Sequence, residues 1–193
     1  MTLHALSPLD GRYAKETAPL RDYFSEFAYL RARARLELDF LSALSKIGIC
    51  PPPSLSLDPF TEEEARKIQA YEKTTRHDVK AIEYFLRERL PAELHPFIHF
   101  GLTSEDMNNI AQALALRDSR DQVMFPALDH LIASLRDFAK RYRALPILAR
   151  THGQPAVPTT LGKEIAVYFA RLVKCREELA NHKFEAKITG AVG

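Results

Sequence analysis

The chain has 193 residues, 46% of them apolar and 27% charged, with a formal net charge of +2. That is an ordinary globular composition, and the length suffices for one large or two small cores. The near-neutral balance excludes the bulk basic field of a nucleic-acid binder, and no run of about 18 apolar residues argues for a membrane span. The N-terminus lacks a basic stretch followed by an apolar one, so no leader is expected. Cys50 and Cys175 lie far apart without metal-type spacing, which fits a reduced, cytoplasmic setting. The seven histidines show no ligand spacing, so no metal site is expected.

Residues 1–19 read as irregular, with Asp10-Gly11 as a turn signal. Arg12 and Tyr13 follow it. They belong either to a frayed arm or to a turn that offers a planar donor fork to an anion. From Leu20 to Ile47, Phe24, Phe27, Leu30, Ala34, Leu38, Leu41, Leu44 and Ile47 recur at helical spacing, and Gly48 is a stop. Pro51-Pro52-Pro53 makes a stiff loop. Thr61 with Glu64 forms a capping box opening a helix through Ala65, Ile68 and Tyr71.

Thr74-Thr75-Arg76-His77-Asp78 then precedes a helix with Val79, Ile82, Phe85 and Leu86 inward. A polar cluster at a helix N-terminus suits an anion, because free N–H groups and the positive dipole end point there. Asp78 alone can equally be a cap. A third cluster runs from Pro96 to Asp106. Thr103 and Asp106 fit a helix-start signature, while His99, among Phe97, Ile98 and Phe100, reads as a packed, hydrogen-bonded histidine rather than a catalyst. The next helical pattern covers Ser119–Arg143, with Pro126 in its first turn or at a kink. Arg150-Thr151-His152-Gly153-Gln154-Pro155-Ala156-Val157-Pro158 follows. Its two prolines hold an extended path, and it packs more polar chemistry into nine positions than a plain linker needs. A last long helix is expected from Thr160 to about Ile188. No alternating strand pattern of useful length stands out, so the class is all-α with long antiparallel helices in the second half.

Arg150 to Pro158, continued by Thr159-Thr160-Leu161-Gly162-Lys163-Glu164, resembles the histidine-bearing segment of the adenylosuccinate lyase family, a branch of the fumarase/aspartase superfamily. Asp10-Gly11-Arg12-Tyr13, Arg76-His77-Asp78-Val79 and His99 to Asp106 with Asn108-Asn109 resemble the family's three earlier motif regions, in order. The likeness covers essentially the whole chain. Gly153-Gln154-Pro155 after the Thr-His pair favours this branch over its neighbours.

The resemblance implies a small helical N-terminal domain over residues 1–102 and, over 103–193, the first long helices of the superfamily's bundle. It implies elimination of fumarate from adenylosuccinate, leaving AMP, and from the succinylated imidazole carboxamide ribotide SAICAR, leaving AICAR. By motif match His152 is the general acid. Arg12, Tyr13, Arg76, His77, Asp78, Thr103 and Ser104 form the substrate-binding set. Histidine suits the acid role because it titrates near neutrality. The family acts without a cofactor as a cytoplasmic homotetramer on a small purine nucleotide, with no nucleic acid or membrane partner. Its general base is a serine on a Gly/Ser-rich loop containing Met-Pro-x-Lys. No such segment is present, and family chains are longer, so a fragment inactive by itself is expected. Two other readings stay open: a non-catalytic nucleotide-binding or interaction module on the same fold, and a superfamily lyase for another substrate.

Overall fold

The computed structural model describes residues 5–192. They form two compact units. The first comprises residues up to 118 together with 184 onward, and the second spans 119–183.

Among the described residues, the first unit is built on five α-helices. After a hydrogen-bonded turn at residues 7–17 comes a short helix α1, Arg21–Phe24, and then the long α2, Glu26–Lys46. One uninterrupted helix was expected here. Ser25 divides it, because its extended backbone places the hydroxyl to accept the Ala28 N–H as an N-cap. Helix α3, Glu62–Thr75, opens with the expected capping box: Thr61 accepts from Glu64 N–H, and Glu64 accepts from Thr61 N–H. Helix α4, Asp78–Arg87, follows at once. The apolar stripes of α2, α3 and α4 meet in one core, where Leu41, Ile68, Ile82, Phe85 and Leu86 are wholly buried. Each such side chain contributes about 1.5–3 kcal/mol from burial, and together they fix the ends of α3 and α4 that carry the polar residues.

Helix α5, Ser104–Ser119, completes this unit. Residues after 183 return to its first turn. The Asn109 side chain pairs with the Lys187 backbone in both directions, and Asp106 accepts N–H bonds from Thr189 and Gly190 and an ion pair from Lys187. A long helix was expected to run on to about Ile188. It ends instead at Asn181, where His182 turns extended. Arg120 donates to the carbonyls of Leu179 and His182, supplying partners to carbonyls that a helix end leaves open.

The second unit contains α6, Phe125–Arg141, and α7, Leu161–Asn181. They run antiparallel: Arg176 grips Asp129 at one end, and Gly162 lies against Ala139 and Arg143 at the other. One π-type turn, Arg120–Met124, precedes α6, and Pro126 sits in the first turn as expected. The wider turn suits a residue that has no N–H to donate.

The segment between α6 and α7 departs from the all-helical reading. Pro146–Thr151 (β1) and Gln154–Thr160 (β2) pair as an antiparallel hairpin. The register shifts between Leu148 and Arg150, so Ala156 and Val157 of β2 oppose Ala149 alone, a bulge flanked by Pro155 and Pro158. Prolines are tolerated in a two-stranded, solvent-exposed ribbon at such positions. The all-α class holds for the rest of both units.

Candidate active site

The second cluster is set by how α3 ends and α4 begins. Arg76 takes a left-handed conformation, φ 52°, closing α3. His77 then caps α4, its Nδ1 accepting the Lys80 N–H at 3.1 Å. The cap is therefore His77, so the reading of Asp78 as the cap falls away. Asp78 is the first helical residue, and its carboxylate accepts Val79 N–H at 2.9 Å and ion-pairs with Arg33 at 2.8 Å. The cap has a chemical consequence. A neutral imidazole whose Nδ1 accepts must carry its proton on Nε2, and His77 Nε2 lies 3.4 Å from Ser104 Oγ. Two residues 27 positions apart thus meet at the capped N-terminus of α4, His77 Nε2–H donating to Ser104 Oγ and leaving the hydroxyl proton free to donate onward.

The third cluster is held from behind. His99, also left-handed at φ 58°, donates its backbone N–H and Nδ1–H to the two oxygens of buried Glu37, at 3.1 and 2.6 Å. Burial alone would lower the His99 pKa, but the hydrogen bond and charge of Glu37 outweigh it and raise the group above its ordinary 6.5. This is the packed, bonded histidine expected. At Asp106, burial on its own would raise the carboxyl. The Thr103 and Thr189 N–H groups and the Lys187 ammonium pull it the other way, from 3.8 to about 2. The Asp106 bond to Thr103 N–H, 2.9 Å, realises the expected helix-start signature and pins Thr103 beside Ser104.

Arg12 and Tyr13 are exposed, on the turn closed by Asp10 and Gly11 N–H bonds to the Ser7 carbonyl. Among the described residues neither bonds to the second or third cluster. His152 lies in the second unit. Thr151 and Gln154 are paired, so His152 and Gly153 alone make the hairpin turn, with φ 51° and 73°. Positive φ at both central residues defines a type I′ turn, and histidine is among the side chains that tolerate it. His152 is therefore presented at the exposed tip of the hairpin. Among the described residues, the non-glycine positions with positive φ are Arg76, His99 and His152. Each falls in one of the polar segments singled out by sequence, and backbone strain of this kind concentrates at functional sites.

Sequence reasoning missed Arg33 and Glu37. The signal was present: both sit inside the apolar stripe of α2, between Leu30 and Leu41, where a charge needs a buried partner.

A family model described as a lyase matches residues 54–193. The chain belongs to this lyase family. Members of similar sequence include adenylosuccinate lyases of Vibrio cholerae, 44% identical over 99% of this chain, and of Escherichia coli K12, 42% identical over all of it. The matched region is 45% and 46% of those proteins, so the chain spans under half the length of the curated relatives it matches. Among solved structures, a fumarate lyase from Mesorhizobium sp. BNC1 shares the fold over 91% of the chain, with a TM-score of 0.73 at 21% identity. A β-carboxy-cis,cis-muconate cycloisomerase from Acinetobacter calcoaceticus gives 0.73 at 20% identity. Among the described residues, no helix is long and apolar enough to cross a membrane.

Proposed function

We propose that these residues are part of an adenylosuccinate lyase, a C–N lyase that releases fumarate from adenylosuccinate and from SAICAR in purine nucleotide biosynthesis. The observation that carries the reading is the identity of 42–44% with enzymes of that name across essentially the whole chain. The local geometry suits the substrate. A phosphate and two carboxylates need fixed donors, and the Ser104 hydroxyl, held by His77 Nε2–H at the positive end of the α4 dipole, supplies one. Arg12, Tyr13, Arg76 and Thr103 complete the substrate-binding set. Asp78, paired with Arg33, serves it by holding His77.

In the elimination a base takes the proton next to a carboxylate, and charge builds as an aci-carboxylate that preset donors stabilise. The C–N bond breaks with its electron pair going to nitrogen, which takes a proton from His152. A turn-tip histidine can reach a substrate that the chain carrying it does not itself enclose. That suits a homotetramer with shared sites, acting in the cytoplasm on a small nucleotide without a cofactor. In the same proposal, residues 1–102 form the N-terminal domain and 103–193 open the central bundle, near the start of α5.

Fumarate release from adenylosuccinate tests the reading, with the complete reading frame assayed beside the 193-residue chain. Turnover by the long form only is the expected result. Turnover by neither, with AMP still bound, would move the protein to the class of non-catalytic nucleotide-binding modules.

A further inference from the structure

Helix α2 buries a continuous stripe: Leu30, Arg33, Ala34, Glu37, Leu38, Leu41 and Leu44. Two of these are charged. Arg33 is 5% exposed and Glu37 is fully buried. Burying either without a partner would destabilise the helix severely, and an apolar residue at both positions would extend the stripe. They stand four residues apart, about 6 Å along the axis and on one face. Their partners are not on α2, and they lie in the two different clusters of this unit.

Arg33 lies with its guanidinium 3.7 Å from the centre of the Tyr29 ring and reaches the Asp78 carboxylate at 2.8 Å. The ring holds the guanidinium plane, so the ion pair has a defined direction. Asp78 spends its other oxygen on the first turn of α4, so its carboxylate is gripped from both sides, and His77 is its immediate neighbour. Glu37 closes on His99 with both oxygens. This holds the left-handed backbone of His99 at the head of the turn that leads, through the Leu102 N–H bond to the His99 carbonyl, to Thr103 and Ser104.

We propose that Arg33 and Glu37 are positioning residues: one helix carries both charges so that His77, steered through Asp78, and Ser104, steered through His99, meet as a hydrogen-bonded pair. What that pair binds rests on the lyase reading. That α2 sets it does not.

The test reads the His77 ring itself. In the 193-residue chain with ¹⁵N-labelled histidine, long-range ¹H–¹⁵N correlation above neutral pH is expected to show one His77 tautomer, with the proton on Nε2. Glu37→Gln and Asp78→Asn each cut one arm, and both are expected to give mixed tautomers at His77. Arg33→Met is expected to do the same. Should it fail to fold, Asp78→Asn tests the same ion pair from its more exposed end. Leu41→Ala is the control: it weakens the same helix in the apolar core and is expected to keep the wild-type tautomer.

Wild-type ring shifts in the charge variants would overturn the proposal. So would equal mixing in Leu41→Ala, which would make the effect one of stability alone. In the complete protein, Glu37→Gln is expected to lower kcat more than it raises KM. If the wild-type complete protein releases no fumarate, the lyase reading fails while the tautomer result still decides the role of α2.

Discussion

Replacing Asp106 by asparagine is the sharpest probe of the contact that ties residues 187–190 to the start of α5. The carboxylate is fully buried and takes hydrogen bonds from Thr103, Thr189 and Gly190 N–H and from Lys187. Its pKa falls from 3.8 to about 2. A depressed folded-state value means the ionised form is the stabilising one. The stabilisation is complete above the unfolded value and disappears as pH falls through the folded one. A difference of nearly two units corresponds to about 2.4 kcal/mol. Asp106→Asn keeps the shape but turns an amide toward donors, so at pH 7 it is expected to destabilise by about 2–3 kcal/mol, the scale of a lost charged hydrogen bond. At about pH 3, wild type has surrendered roughly 1 kcal/mol of the carboxylate's share while the amide has none to lose. The gap between the two proteins should therefore shrink by that amount. Urea unfolding of both proteins at the two pH values measures it, and taking the difference cancels the other titrating groups. A gap that is unchanged or wider in acid would refute the assignment of a buried, ionised Asp106.

The pair of His99 and Glu37 has the opposite sign. The raised histidine pKa stabilises fully below about pH 6.5, and that contribution fades as pH rises through the folded-state value. Glu37→Gln should thus cost more stability at pH 5.5 than at pH 8.5 in denaturant titrations. In the second unit, a Cβ at Gly162 would stand 2.4 Å from the Ala139 carbonyl oxygen and 2.6 Å from Arg143 Cα. Gly162→Ala should destabilise by about 2 kcal/mol, about 3 from overpacking less about 1 from helix propensity, and calorimetry should show a lower Tm. Finally, His152→Gln in the complete enzyme should reduce turnover by at least about a hundredfold; near-normal turnover in a fumarate assay removes His152 from the acid role.

Periodicity and punctuation were enough to read the helices. The stripes of α2, α4 and α7, the Thr61–Glu64 box and the polar starts of α4 and α5 all follow from spacing, because they depend on residues three or four apart. The string around His152 likewise marked a segment of unusual chemistry before any coordinates. Its shape was misread. Pro155 and Pro158 were read as holding an extended connector, yet His152-Gly153 between Thr151 and Gln154 has the form of a two-residue hairpin turn in which histidine replaces the usual asparagine. The helix expected to reach Ile188 stops at Asn181 because its end is met by Arg120, some 60 positions earlier in the chain, and local propensity carries no information about such a partner.

By itself, then, the sequence determined the helical class, where most helices start, and which polar segments stand apart from the helical pattern. Only the tertiary structure decided which of those residues meet. Arg33 with Asp78, Glu37 with His99, His77 with Ser104, and Asp106 with residues 187–190 are pairings across 27 to 84 positions. Their physical reason is burial: a charge or donor placed inside the core must find its partner there, and which partner that is becomes defined only once the helices have packed.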